Sequence, residues 1–155
     1  MDIPEQYTSL LGQAIQKRFS GFDIGFREIS GYQSPKAIDW KYKGVECKAN
    51  FYAEEGKLFF VMELEFPEIS GLVDKIKAEG ACGKNIESKS KFLTKPKREV
   101  HMQDRKTHYS ARCRLKQNMA NLNPQKHPDL AEDLIKDIWG YIMKTSIGLA
   151  TGIIR

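Results

Sequence analysis

The sequence is poor in cysteine, and its three cysteines form no CxxC pair and match no zinc-binding spacing. An odd number of widely spaced thiols does not fit a disulfide framework, so we expect reduced cysteines and no metal cofactor for folding. No apolar stretch approaches the ~20 residues of a membrane-spanning helix. The N-terminus lacks the basic and apolar regions of a signal peptide. These absences predict a soluble, cytoplasmic protein.

The composition is typical of one globular domain. The chain has 155 residues, of which 41% are hydrophobic and 29% are charged. A domain near this length buries about 70% of the surface that its unfolded chain exposes, so it needs no disulfide or metal to be stable. Because no internal repeat or linker divides the sequence, we expect a single α+β domain over residues 1–155.

Periodic apolar residues predict helices packed on an antiparallel sheet. An N-terminal helix capped by Asp2, a short middle helix over 70–79 and a C-terminal helix opening at Pro128 follow the helical spacing. Between them, alternating apolar and polar residues over 22–66 and 98–116 predict the strands. The aromatic residues of the strands are expected in the core, namely Trp40, Phe51, Phe59, Phe60 and Phe66.

A short segment carries the basic character of the chain. Residues 81–117 contain eleven Lys and Arg against three Asp and Glu, a net charge of +8, whereas the remainder has a net charge of −3. We expect an exposed loop over 81–96 and then a hairpin. Basic side chains neutralise phosphates and release counterions, which favours nucleic acid as the partner ahead of an acidic protein, with Phe92 available to stack on a base. The candidate binding residues are Lys89, Lys91, Lys95, Lys97, Arg98, Arg112, Arg114 and Lys116.

A hairpin in the first strand region brings a charged cluster together. If Lys43-Gly44 is its two-residue turn, Asp39 lies opposite Lys48 and Lys41 lies opposite Glu46, all on one face. Ala37-Ile38-Asp39 and Val45-Glu46-Cys47-Lys48 resemble the signature of the PD-(D/E)xK nuclease superfamily. The resemblance implies a nuclease in which Asp39 and Glu46 are catalytic residues that hold Mg²⁺ and Lys48 lies beside the attacking water.

Two other interpretations of the same sequence stay open. Asp39–Lys48 and Lys41–Glu46 are also ideal cross-strand ion pairs of a solvated sheet face, and this is the interpretation we favour. The apolar, glycine-broken tail over 147–154 could pack on the sheet or on a second copy. The chain would then be a homodimeric protein-interaction or chaperone-like module.

Overall fold

The computed structural model describes residues 2–18, 25–28, 36–42, 45–66, 91–94 and 96–153. Helix α1 spans Ile3–Arg18, and helix α2 spans Pro128–Ile153 after a 3-10 turn at Met119–Asn121. The predicted middle helix over 70–79 lies outside the described residues. The strands are β1 (Gly25–Glu28), β2 (Lys36–Tyr42), β3 (Val45–Glu54), β4 (Lys57–Phe66), β5 (Lys97–Gln103) and β6 (Lys106–Asn118).

The strands form a six-stranded sheet in the order β1-β2-β3-β4-β6-β5, and each neighbouring pair is antiparallel. This confirms the predicted antiparallel α+β fold. Consecutive strands pair as hairpins, except that β6 lies beside β4 and leaves β5 outside it. Strand β6 therefore has a hydrogen-bonded neighbour on both sides, and its polar side chains lie near the middle of the charged part of the sheet.

One face of the sheet carries the hydrophobic core. Tyr7, Leu11 and Ile15 of α1 recur every four residues and are fully buried against it. Leu134 and Ile138 of α2 continue the same core. Because side chains of a strand alternate between faces, each core residue of the sheet leaves its neighbours on the opposite face. That opposite face bears most of the charged strand residues.

Helix α1 is fixed at its beginning and in its first turns. The Glu5 amide donates to the Asp2 carboxylate over 2.8 Å, which confirms Asp2 as the N-cap. The buried Thr8 hydroxyl donates to the Pro4 carbonyl at 2.9 Å and accepts the Phe51 amide at 3.1 Å. This second bond satisfies a backbone group of β3 with a side chain of α1, so that it joins the helix to the sheet directly.

Two predictions about irregular segments need correction. The tail over 147–154 was expected to be broken, but helix α2 continues through Ile153, because an isolated glycine costs a helix only about 1 kcal/mol. Of the exposed loop predicted over 81–96, residues 81–90 and 95 lie outside the described residues; in the described part, Leu93 is buried and bridges Leu115, and Phe92 packs against the core. None of the described helices is long and apolar enough to cross a membrane.

Candidate functional site

The hairpin β2–β3 has the predicted register. Asp39 lies opposite Lys48 and Lys41 lies opposite Glu46. Strand β4 continues both rows, with Glu63 opposite Lys48 and Glu65 opposite Glu46. The Lys48 ammonium lies 3.0 Å from the Glu63 carboxylate. This partner of Lys48 was not predicted, because Glu63 lies fifteen positions further along the chain, on the next strand.

Strands β6 and β5 extend these rows across the sheet. His108 lies opposite Glu65 and is stacked on His101, with ring centroids 5.3 Å apart. Ser110 lies between Glu63 and Glu99. Together the rows surround a concave region of about 680 Å³, which we call the charged depression. Its charged and polar lining comprises Asp39, Lys41, Glu46, Lys48, Glu63, Glu65, Lys97, Glu99, His101, Gln103, His108, Ser110 and Arg112.

The three residues of the nuclease resemblance all line the charged depression. Their neighbours, however, engage them in contacts within the sheet. Lys48 pairs with Glu63, and Glu46 lies directly opposite Glu65 in the neighbouring strand. Within the described ranges, no group of three or more His, Cys, Asp or Glu side chains is arranged to hold a metal ion. The arrangement as it stands is a network of cross-strand polar contacts.

A lysine of β6 anchors the carboxylate of Glu65 in the depression. Its oxygen lies 2.9 Å from the Lys106 ammonium. This hydrogen bond is the main cause that lowers the pKa of Glu65, with a smaller contribution from His108, while burial acts in the opposite direction. The same contact raises the pKa of Lys106. Glu65 is therefore ionised at neutral pH and adds to the negative charge at this end of the depression.

At the other end of the depression lies an arginine packed on two aromatic rings. Tyr52 and Phe59 are cross-strand partners whose rings stack 5.2 Å apart at 11°. The Arg112 guanidinium lies over both, 5.0 Å from the Phe59 centroid and 5.7 Å from that of Tyr52. The Glu54 carboxylate approaches the same guanidinium at 3.7 Å. Phe59 was predicted in the core, but it lies on the charged face instead.

Lys97 and Arg114 complete this basic end. They line a hollow of about 350 Å³ together with Phe59 and Arg112. Arg114 is held by its backbone, since its amide donates to the Thr94 hydroxyl at 3.0 Å and its carbonyl accepts the Thr94 amide at 2.9 Å. We call Tyr52, Phe59, Lys97, Arg112 and Arg114 the Arg–aromatic patch.

The remaining predicted basic residues are distributed unequally. Lys91 and Lys116 are exposed. Arg98 lies opposite the buried Ala111, and thus on the other face of the sheet from Lys97. The alternation of the strand could have shown this separation, because adjacent strand residues point to opposite faces. Lys89 and Lys95 lie outside the described residues.

No known family, curated protein or solved structure matches this chain. Its function must therefore be inferred from the chemistry of the charged face. Of the described residues, Cys47 and Cys113 are free and buried thiols. Burial, helped by the nearby Glu46 charge, raises the pKa of Cys47 to about 12. This thiol stays protonated at neutral pH and is a poor nucleophile.

Proposed function

We propose that this chain binds nucleic acid through the Arg–aromatic patch. One observation carries the proposal: Arg112 lies over the stacked Tyr52 and Phe59 rings, and Lys97 and Arg114 line the same hollow. Basic side chains interleaved with aromatic ones are what single-stranded nucleic acid requires, since its phosphates need cations and its bases need flat surfaces.

Arg112 supplies the flat surface in this proposal. Its contacts with the two rings hold the guanidinium plane in place, while the side chain stays 53% exposed. Proteins that recognise unpaired bases stack them on aromatic rings or on guanidinium planes. In this proposal a base stacks on the exposed side of the guanidinium, while the Tyr52 and Phe59 rings support it from the protein.

Lys97 and Arg114 supply cations for the flanking phosphates. Glu54 offsets part of the charge of Arg112 at 3.7 Å. We therefore assign phosphate neutralisation mainly to the other two cations and stacking mainly to Arg112. The acidic residues of the charged depression repel phosphates beyond this end, which limits the contact to a few nucleotides.

The test measures the affinity of the chain for short single-stranded DNA and RNA at low salt. Lys97→Ala/Arg114→Ala is expected to weaken binding at least about tenfold, since each lost contact is a charge-assisted hydrogen bond. Lys126→Ala/Lys136→Ala is the matched control, because it removes the same charge from exposed positions elsewhere. Equal affinity of the two double variants would contradict the proposal.

An acidic protein is the competing anionic partner. It would also use Lys97, Arg112 and Arg114, and it would also be displaced by salt. The variant Arg112→Lys distinguishes between the two partners, because it keeps the charge but removes the plane that stacks on a base. A large loss of oligonucleotide affinity supports nucleic acid. Unchanged affinity would mean that charge alone governs binding, as expected for an acidic protein.

A metal-dependent nuclease is the second candidate, and the observation that favours it is that Asp39, Glu46 and Lys48 line one depression. Mg²⁺ would be held by the two carboxylates, and Lys48 would leave Glu63 to act beside a water. This hypothesis predicts cleavage of DNA or RNA that requires Mg²⁺ and disappears in Lys48→Ala. Binding without cleavage at any Mg²⁺ concentration would exclude it.

The third hypothesis is a protein-interaction or chaperone-like module. It requires a homodimer formed through the tail that ends helix α2. Sedimentation at micromolar concentration separates it from the other two, because neither of them needs a second copy. A monomeric chain would contradict this hypothesis, because it requires two copies joined through the tail.

A further inference from the structure

A row of hydrogen-bonding groups lies beside the Arg–aromatic patch. Ser110 lies two residues before Arg112 on β6, and Glu99 lies two residues after Lys97 on β5. Ser110 is paired with Glu63 on one side and with Glu99 on the other. Two strand residues span about 6.6–6.8 Å, which is close to the width of a nucleobase. A base stacked on Arg112 would therefore bring one edge to this row.

The row is rich in acceptors. An ionised carboxylate accepts hydrogen bonds and donates none, whereas a serine hydroxyl does both. Cytosine and adenine present an exocyclic amino donor, and thymine presents a carbonyl oxygen at the matching position. A carboxylate in this place would pair with the amino group and repel the carbonyl. The row therefore has the chemistry to discriminate between bases.

The carboxylates of Glu63 and Glu99 differ in their surroundings. Glu63 already holds the Lys48 ammonium at 3.0 Å. Glu99 is exposed on the outer strand β5, in the same depression as Lys97 and Arg112. Glu99 and Ser110 line the same depression, in which the proposed base would lie.

We propose that Glu99 makes the Arg–aromatic patch select bases with an exocyclic amino group, cytosine over thymine or uracil. The inference rests on the proposed nucleic-acid function and adds the class of base to it. Glu99 is a specificity-determining residue in this scheme, while Arg112 supplies stacking that every base can use.

The experiment compares fluorescein-labelled dC6 and dT6 at pH 7.5 by anisotropy. Both are pyrimidines of equal length and charge, so their difference reports the base edge. We expect dC6 to bind roughly five- to tenfold more tightly, as for one specific base contact at the weaker end of its range. Glu99→Gln should remove most of this preference, mainly by strengthening dT6, because the amide can also donate to a carbonyl.

The control is Glu132→Gln, which removes the same charge from an exposed residue of α2. It should leave the ratio of the two affinities unchanged. Tight but equal binding of dC6 and dT6 would overturn the role of Glu99 while leaving the proposed function intact. A preference that survives in Glu99→Gln would do the same. Failure of both oligonucleotides to bind would overturn the function itself, and the inference with it.

Discussion

At the scale of single residues, Arg112 is held by three groups at once: two aromatic rings and the Glu54 carboxylate. A freely moving arginine loses rotamer entropy when a ligand immobilises it. Arg112 has lost much of that freedom in the folded protein already. The Tyr52 and Phe59 rings would therefore favour affinity for the proposed nucleic acid even where they do not touch it.

Thr8 is the residue that most directly joins a helix to the sheet. Thr8→Val keeps the shape but removes the acceptor of the buried Phe51 amide. We expect a loss of about 1–3 kcal/mol in the free energy of unfolding, the cost of an unsatisfied buried donor. Urea denaturation measures it, with Thr8→Ser as the control that keeps the hydroxyl. Equal stability of the Val and Ser variants would show that the bond contributes nothing.

Glu65 and Lys106 give a dependence on pH. Since the pKa of Glu65 is lowered on folding, the pair stabilises the fold above the ordinary glutamate value of 4.5 and loses this effect as the pH falls through the lowered pKa. On the alkaline side, the raised pKa of Lys106 maintains its contribution until the pH rises through that value. Both contributions are small, because solvent reaches both side chains and screens the pair.

The carboxyl NMR titration of Glu65 tests this arrangement directly. Lys106→Gln should raise the pKa of Glu65 toward its ordinary value, because the main cause of the lowering is removed. Lys126→Gln removes a charge elsewhere and should have no such effect. If Glu65 titrates identically in both variants, Lys106 is not the group that lowers its pKa.

At the scale of elements, the β5–β6 hairpin is closed by two residues with left-handed backbone. Asp104 has φ 52° and Arg105 has φ 61°, whereas the β3–β4 turn has Glu55 at φ 52° and Gly56 at φ 75°. Two positive φ angles in succession are typical of the type I′ turn, which favours Asn-Gly. The second hairpin therefore lacks the glycine that the first one has.

Replacing Asp104-Arg105 by Asn-Gly should stabilise the protein by about 1 kcal/mol, because a left-handed non-glycine residue costs roughly that much. Thermal unfolding provides the measurement. Gly56→Ala is the reciprocal control and should destabilise by a similar amount, since the added Cβ meets no atom within 4 Å and only backbone strain acts. A change of the same sign in both variants would contradict this account.

The elements also show which parts of the structure were predictable. The register of β2 and β3 was predicted correctly, because a two-residue turn fixes which residues face each other. The pairing of β4 with β6 was not predicted, since a connection of thirty residues between β4 and β5 places no constraint on register. Phe59 was assigned to the wrong face because it lies in the apolar run 58–62, where alternation is invisible. The charged residues outside this run, such as Glu63 and Glu65, indicate the correct parity.

At the scale of the whole molecule, the fold brings together charges that are separated along the sequence. The sequence divides into a basic segment and an acidic remainder, which suggests a positive region apart from the rest. The fold instead brings Glu54 of β3 to Arg112 and Glu65 of β4 to Lys106, both on β6. Positive charge thus dominates at one end of the charged face and negative charge at the other.

This limited positive region sets the salt dependence of the proposed binding. If Lys97 and Arg114 each neutralise one phosphate of a single strand, log K should fall with log salt at a slope of about −1.4. Arg114→Ala should reduce the magnitude of this slope by about 0.7. Anisotropy titrations between about 50 and 200 mM salt measure this slope. A slope near zero would mean that the basic end contacts no phosphates.

Strand β6 contributes to both faces along its whole length, with Tyr109, Ala111, Cys113 and Leu115 buried and the residues between them on the charged face. A saturation mutagenesis library of this strand should consequently give two interleaved profiles. Odd-numbered positions would control the yield of folded protein, and even-numbered positions would control ligand retention at normal yield. An evolving lineage could therefore change the charged face of this strand one codon at a time without disturbing its core.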